Sequence, residues 1–223
     1  MVMVKGIKGL IVLSDNDTYL IPALAKNEVH RTEIIVKKSR FITSIGHTKG
    51  VDEAKAFIEK ISLEFADARH NCFAYNADKP GSTGYAGCSD DGEPHGTAGK
   101  PMLNVVIHSD IGEITAVVTR YFGGILLGTG GLVKAYQDSV KNALDTLKIT
   151  PMVLTYELEV QIGPRFISQF LRLCQSSQAQ ILNCDFGVEA IYKISLPQSE
   201  YEIFKAKVIE MTSGQAKIIK EEQ

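Results

Sequence analysis

Val51, Ala54, Phe57, Ile58, Ile61 and Phe65 recur at the three- and four-residue spacing of a single helix face, so GVDEAKAFIEKISLEF predicts an amphipathic helix. Asp52 and Glu53 fall in its first turn, where the helix dipole favours acids. Upstream the period changes to two. TEIIVKKSRFITSIGHT alternates through Ile34, Val36, Phe41 and Thr43 and reads as two strands or one bent strand. HNCFAYNA is a further strand. EITAVVTRYF is apolar nearly throughout, which predicts a central strand with Val117, Val118 and Phe122 in the core. PMLNVVIHSD predicts a short helix with Pro101 in its first turn, and GLVKAYQDSVKNALDTL a long one.

Beyond Pro151 the rhythm is simpler. MVLTYELEVQI alternates as a strand, FISQFLRLCQSS follows as a helix, and AQILNCDFGVEAIYKISL gives two strands turned near Phe186-Gly187. SEYEIFKAKVIEMTS is a helix and GQAKIIKEE a last strand. That βαββαβ order is the split βαβ, or ferredoxin-like, sandwich. Leu158, Val160, Phe170, Ile191 and Ile194 are expected to be buried there. A boundary between Leu147 and Met152 separates a first domain, 19–150, from a second, 151–223, with an extension at 1–18 whose GLIVL run is a candidate strand. That run is too short to span a membrane, and no cleavage-site pattern follows it. The fold class is α+β.

Composition narrows the function less than the pattern narrows the fold. The net charge is −2; residues 1–150 hold 17 basic and 17 acidic side chains, and 151–223 hold 7 and 9. Neither part is a basic body, so any nucleic-acid contact has to come from a local patch. Four cysteines without a CxxC pair in a chain of this size imply reduced thiols and a cytoplasmic setting.

The segment CSDDGEPHGTAGKP, 88–101, carries the candidate chemistry. It is not a phosphate-binding P-loop: with Gly99-Lys100 aligned on that pattern, the first glycine falls on Pro94 and the metal-holding hydroxyl on Pro101. Nor is GTGGLV, from Gly128, a dinucleotide fingerprint, since its third glycine is Val133. Asp91, Glu93 and His95 alternate but lack a second histidine or a distant carboxylate, so no metal site is assigned and no cofactor is expected. His70 and Cys72 share one strand face; a packed cysteine is the commoner fate of such a pair than a nucleophile. Gly123, Gly124, Gly128, Gly130 and Gly131 are expected to include positions with positive φ or with no room for a Cβ.

KKSRFI (37–42), DARHNC (67–72), GCSDDGEPHGTAGKP (87–101) and GEITAVVTRYFGGILLGTGGLVKAY (112–136) together resemble the IMPACT/YigZ family, and YLIPA (19–23) resembles its bacterial branch. The resemblance implies a ribosomal protein S5 domain 2-like fold for the first domain. For the second it implies a ferredoxin-like fold similar to domain V of elongation factor G. Its loop motif matches Ser89, Asp90, Asp91, Gly92, Glu93, Pro94, Gly96, Thr97, Ala98, Gly99, Lys100 and Pro101, with His95 variable. Eukaryotic relatives modulate translation initiation by competing for a kinase activator, using an additional N-terminal RWD domain. The residues before Tyr19 leave no room for that domain, and that partner is not carried over.

Three functions follow as expectations. The first is a noncatalytic, translation-associated regulator that binds RNA or the ribosome in a glycine-rich cleft. Lys100, Arg120 and Lys134 would point into that cleft beside Gly99, Gly128, Gly130 and Gly131. Asp90, Gly96 and Thr97 would shape the loop, and Asp91 and Glu93 would stand on its rim. Arg120 could instead pair with Asp90 or Asp91 to fix the loop. The second is an enzyme acting on a phosphorylated or nucleotide substrate, with Asp91 or Glu93 as base. The third is a protein-binding regulator that uses the 88–101 loop. No membrane is implied, and the sequence sets no oligomeric state.

Overall fold

Two antiparallel strands, β1 (Val2–Gly6) and β2 (Gly9–Leu13), open the chain in a computed structural model that describes residues 2–6, 9–13, 18–82 and 84–221. GLIVL is thus the second arm of a hairpin; of the expected 1–18 extension, residues 1, 7–8 and 14–17 lie outside the described residues. The mixed α/β chain divides into two compact units, Tyr19–Met152 and the residues from Val153 on, the latter grouped with the N-terminal hairpin.

In the first unit β3 (Thr18–Pro22) pairs with β9 (Ile149–Val153). A five-stranded sheet is built from β4 (His30–Val36), β5 (Ser39–His47), β6 (His70–Asn76), β7 (Ala86–Ser89) and β8 (Ile114–Tyr121), in the order β4-β5-β8-β6-β7. Every pairing in it is antiparallel. The alternating stretch 32–48 therefore folds as two strands, joined by a tight turn in which Lys37 and Lys38 both take positive φ.

The apolar run of β8 is central because both of its faces are covered. Val117 packs with Phe57 and Ile61 of α1 (Gly50–Glu64). Ile114, Ala116 and Val118 pack with Met102 and Val106 of α2 (Gly99–Ile107) and with Leu132, Tyr136 and Val140 of α3 (Gly128–Thr146). Arg120 shares the parity of Val118, so the strand delivers a guanidinium to the core face. It is 7% exposed.

The second unit runs β10 (Thr155–Ile162), α4 (Ile167–Ser176), β11 (Gln180–Phe186), β12 (Ala190–Pro197), α5 (Tyr201–Thr212) and β13 (Lys217–Glu221), with sheet order β11-β12-β10-β13. Leu158, Val160, Tyr192, Ile194 and Leu196 pack against Phe170, Cys174, Phe204 and Val208.

Two expected core residues are on the surface. Ile191 lies opposite Gln161 and is 39% exposed. Residues three apart in a strand point to opposite faces, so burial of Ile194 puts Ile191 outside. Phe122 is 54% exposed, because β8 ends at Tyr121 and the Gly123–Gly124 turn carries the chain past the covering helices.

Candidate functional site

The motif segments that are scattered along the sequence meet at one corner of the first unit. In β-sheet register Arg120 faces Phe41 of β5 on one side and His70 of β6 on the other. The loop after β7 folds over this end of the sheet, and its acids hold it there.

Asp90 is the loop's internal anchor. Its carboxylate accepts N–H bonds from Gly96 (2.8 Å), Ala98 (3.0 Å) and Gly99 (2.8 Å), and its carbonyl accepts from Glu93 N (2.9 Å) and the Cys72 thiol (2.9 Å). Burial pushes this carboxyl up, but the three N–H groups outweigh it, with help from His95, and it titrates below the ordinary carboxylate range. Two backbone donors at the start of α2, Ala98 N and Gly99 N, thus go to Asp90, and Pro101 has no N–H to satisfy. Gly99 is needed for packing, since a Cβ there would sit 2.7 Å from the Ser89 carbonyl carbon. The expectation that Gly99 offers an N–H to an external anion is overturned, because Asp90 takes it.

Asp91 has φ +41; its carboxylate accepts from Asn71 N (2.6 Å) and its carbonyl from His70 Nδ1 (2.7 Å). A carbonyl only accepts, so the His70 proton sits on Nδ1. Gly96 turns the loop at φ +76, and Thr97 closes it with its hydroxyl on Pro94 O at 2.7 Å.

Glu93, expected on the rim, is buried at 8% exposure. One oxygen accepts from both Arg120 Nη1 (2.6 Å) and the Tyr136 hydroxyl (2.9 Å). The loop is thus pinned to β8 and α3 by a buried ion pair, and the partner of Arg120 is Glu93 rather than Asp90 or Asp91. The physical reason is parity: Arg120 is brought to the core face, where an unpaired cation is costly, and Glu93 is the acid that reaches that face. The Cys72 sulfur also lies 3.4 Å from the Tyr136 hydroxyl, its single S–H being given to Asp90 O, and burial pushes the thiol up to about 12, so it is a packed thiol rather than a thiolate nucleophile.

The opposite flank of Arg120 opens to solvent. A cavity of about 160 Å³ is lined by Arg69, His70, Arg120, Phe122 and Leu126. The Arg120 guanidinium lies 5.6 Å from the Phe41 ring centre and 5.7 Å from that of Phe122, and its Nε is a buried donor without a partner among the described residues. Leu126 is 82% exposed. Arg69 is exposed too, and no hydrogen bond or ion pair engages its side chain among the described residues.

Just beyond Leu126, α3 begins at Gly128 with no side-chain cap, and Gly128, Thr129 and Gly130 are exposed. Gly124 and Gly128 have φ of +82 and +74, whereas Gly130 has open space around it and Gly131 only Leu127 nearby. Gly123 is the tightest of the five: a Cβ there would overlap the Lys38 carbonyl, and its N–H donates to Ser39 Oγ at 3.1 Å. Lys100 and Lys134 are exposed on α2 and α3 and are not among the residues lining the cavity. Of the three expected cations, the cavity takes Arg120 alone, and Arg69, His70, Phe122 and Leu126 complete it. The signals for them are the DARH segment at 67–70 and RYF abutting Gly123-Gly124.

Comparison with known proteins agrees with this assembly of motifs. Residues 37–144 match the Impact N-terminal domain, and 167–215 match a domain of unknown function, DUF1949. The chain is 42% identical over 203 residues to the IMPACT family member YigZ of Escherichia coli, covering 91% of this chain and 98% of that one. Protein IMPACT of Xenopus laevis is 33% identical over 103 residues, 45% of this chain and 32% of the relative. A crystal structure of a hypothetical protein, 41% identical, superposes with a TM-score of 0.69 over 93% of this chain and 98% of that one. With the motifs that build the corner and a full-length relative at this identity, the chain belongs to the IMPACT family.

Proposed function

We propose that this protein is a noncatalytic, translation-associated regulator that binds RNA, free or within the ribosome, at the end of the first-unit sheet around Arg120. The observation that carries the reading is Phe122. An aromatic ring more than half exposed is held against a buried guanidinium, beside a second, exposed arginine. Stacking faces next to cations are what single-stranded nucleic acid uses. The uncapped start of α3 adds open N–H groups that favour phosphate. Family membership supports the regulatory part of the reading, and a cytoplasmic location goes with it.

The architecture supports the same direction. The βαββαβ order and the β11-β12-β10-β13 sheet fit a ferredoxin-like domain akin to domain V of elongation factor G. The first unit is read as S5 domain 2-like. The enzymatic alternative draws less support: Glu93 is paired to Arg120, and one oxygen of the Asp91 carboxylate accepts from Asn71 N.

Co-sedimentation with ribosomes tests the proposal. Binding should fall steeply between ~50 and ~200 mM salt, as phosphate contacts release counterions. Lys100→Glu and Lys134→Glu, which change exposed residues, should each weaken binding and flatten its salt dependence by about one charge if the RNA path extends along α2 and α3. A parent protein that never sediments with ribosomes and binds no RNA at low salt refutes it.

A further inference from the structure

We infer that the cavity at Arg120 receives a single nucleotide of a bound strand, its base stacked on Phe122 and its phosphate held by Arg69. This rests on the RNA-binding reading and gives it an address.

Size decides first. At about 160 Å³ the cavity is smaller than the roughly 300–1,000 Å³ of sites that enclose whole small molecules. It fits one ring system of a larger ligand that continues outside.

Chemistry decides next. The lining consists of one exposed aromatic, one exposed aliphatic side chain, two guanidiniums and an imidazole. An apolar platform calls for a flat hydrophobic group, and the guanidiniums call for an anion. A nucleotide carries both in one unit.

The platform is also pre-set. The Arg120 guanidinium also contacts the buried Phe41 ring, Glu93 fixes Nη1, and Gly123 is packed onto Lys38 and bonded to Ser39. Phe122 therefore presents its ring without having to be ordered by the ligand. The Arg120 side chain is itself more than nine-tenths buried, so its exposed edge forms a fixed wall of the cavity. The other donor surface is Arg69, uncommitted to any acid among the described residues. With its proton on Nδ1, His70 has Nε2 left to accept from a base or sugar hydroxyl.

The test is fluorescence anisotropy with labelled single-stranded RNA of about six nucleotides, with adenosine monophosphate as a competitor. Phe122→Ala should weaken RNA binding by about tenfold or more at every salt concentration, Phe122→Leu nearly as much, and Phe122→Trp little. Arg69→Ala should weaken it and lower the salt slope by about one. A 2-aminopurine in the strand should be quenched on binding the parent and not on binding Phe122→Ala. All variants change exposed side chains, so melting temperatures serve as the control for folding. The monophosphate should compete only at far higher concentration than the strand.

RNA binding left unchanged by Phe122→Ala and Arg69→Ala overturns this inference while leaving the RNA-binding reading in place. Tight, Phe122-dependent monophosphate binding without strand or ribosome binding overturns both and makes the cavity a free-nucleotide site. No binding of either probe, with no ribosome association, also overturns both.

Discussion

Replacing Glu93 by glutamine isolates the charge of the carboxylate that pins the loop, because shape and an acceptor oxygen are kept. In the parent, Arg120 and Glu93 are 7% and 8% exposed and their N···O distance is 2.6 Å. Removing one partner of a buried pair generally costs about 3–5 kcal/mol, since the other charge is left uncompensated. Two features favour the lower end. The glutamine oxygen can still accept from Arg120 and Tyr136, and the guanidinium keeps its contacts with Phe41 and Phe122, each worth about 0.5–2 kcal/mol. A loss of about 3 kcal/mol is expected, or ~6–12 °C in melting temperature for a chain of this length.

The double variant Glu93→Gln/Arg120→Met supplies the decisive comparison. It removes the charge on both sides and fills the arginine stem's place with an apolar chain, so it should cost at least ~1.5 kcal/mol less than the sum of the single changes. Urea unfolding of the four proteins, compared at constant m-value, measures that coupling. Additivity to within about 0.5 kcal/mol is what independent sites give, and it would sink the claim that the loop is held by this ion pair.

Two further outcomes follow from the same corner. The Asp90 carboxyl titrates below its unfolded value, so its contribution is complete above about pH 4 and is lost as pH falls through the folded value; Asp90→Asn should lower stability by about 1–2 kcal/mol at neutral pH and show a shallower loss on acidification, and identical pH slopes for variant and parent refute this. Alanine at Gly123 should destabilise by about 2 kcal/mol or more through overlap with the Lys38 backbone, whereas alanine at Gly130, with open space around it and a helix to favour, should gain up to about 1 kcal/mol; thermal melts showing the same sign at both positions contradict the geometry.

Periodicity made the large elements legible because each buries one face, or both, over many residues. The α1 stripe and the unbroken apolar run of β8 are of this kind. Short pieces held by neighbours rather than by their own pattern were not legible. Ala86–Ser89 is four small or polar residues that become β7 only because β6 offers an edge, and Ile149–Val153 is a strand despite Pro151. At the site, the motif segments were legible as a set, but the partner choices were not. Sequence gives Arg120 three nearby acids, and only the fold shows that Glu93 reaches the core face while Asp90 turns back onto its own loop. Phe122 is exposed although its apolarity continues the strand's pattern, because the strand ends one residue before it.

The loop's composition has a structural cause that also bears on what the corner binds. Each of its three acids is committed: Asp90 to three backbone N–H groups, Asp91 to that of Asn71, and Glu93 to Arg120 and Tyr136. Glu93, matched within a few ångströms by Arg120, adds little repulsion outside, and the N–H dipoles around Asp90 soften its field. The exposed cations Arg69, Lys100 and Lys134 have no such matching acid among the described residues. A segment that looks anion-repelling in sequence is thus compatible with the phosphate contacts proposed around Phe122. With these commitments, changing an acid of the loop unbuilds the platform before it changes any ligand contact.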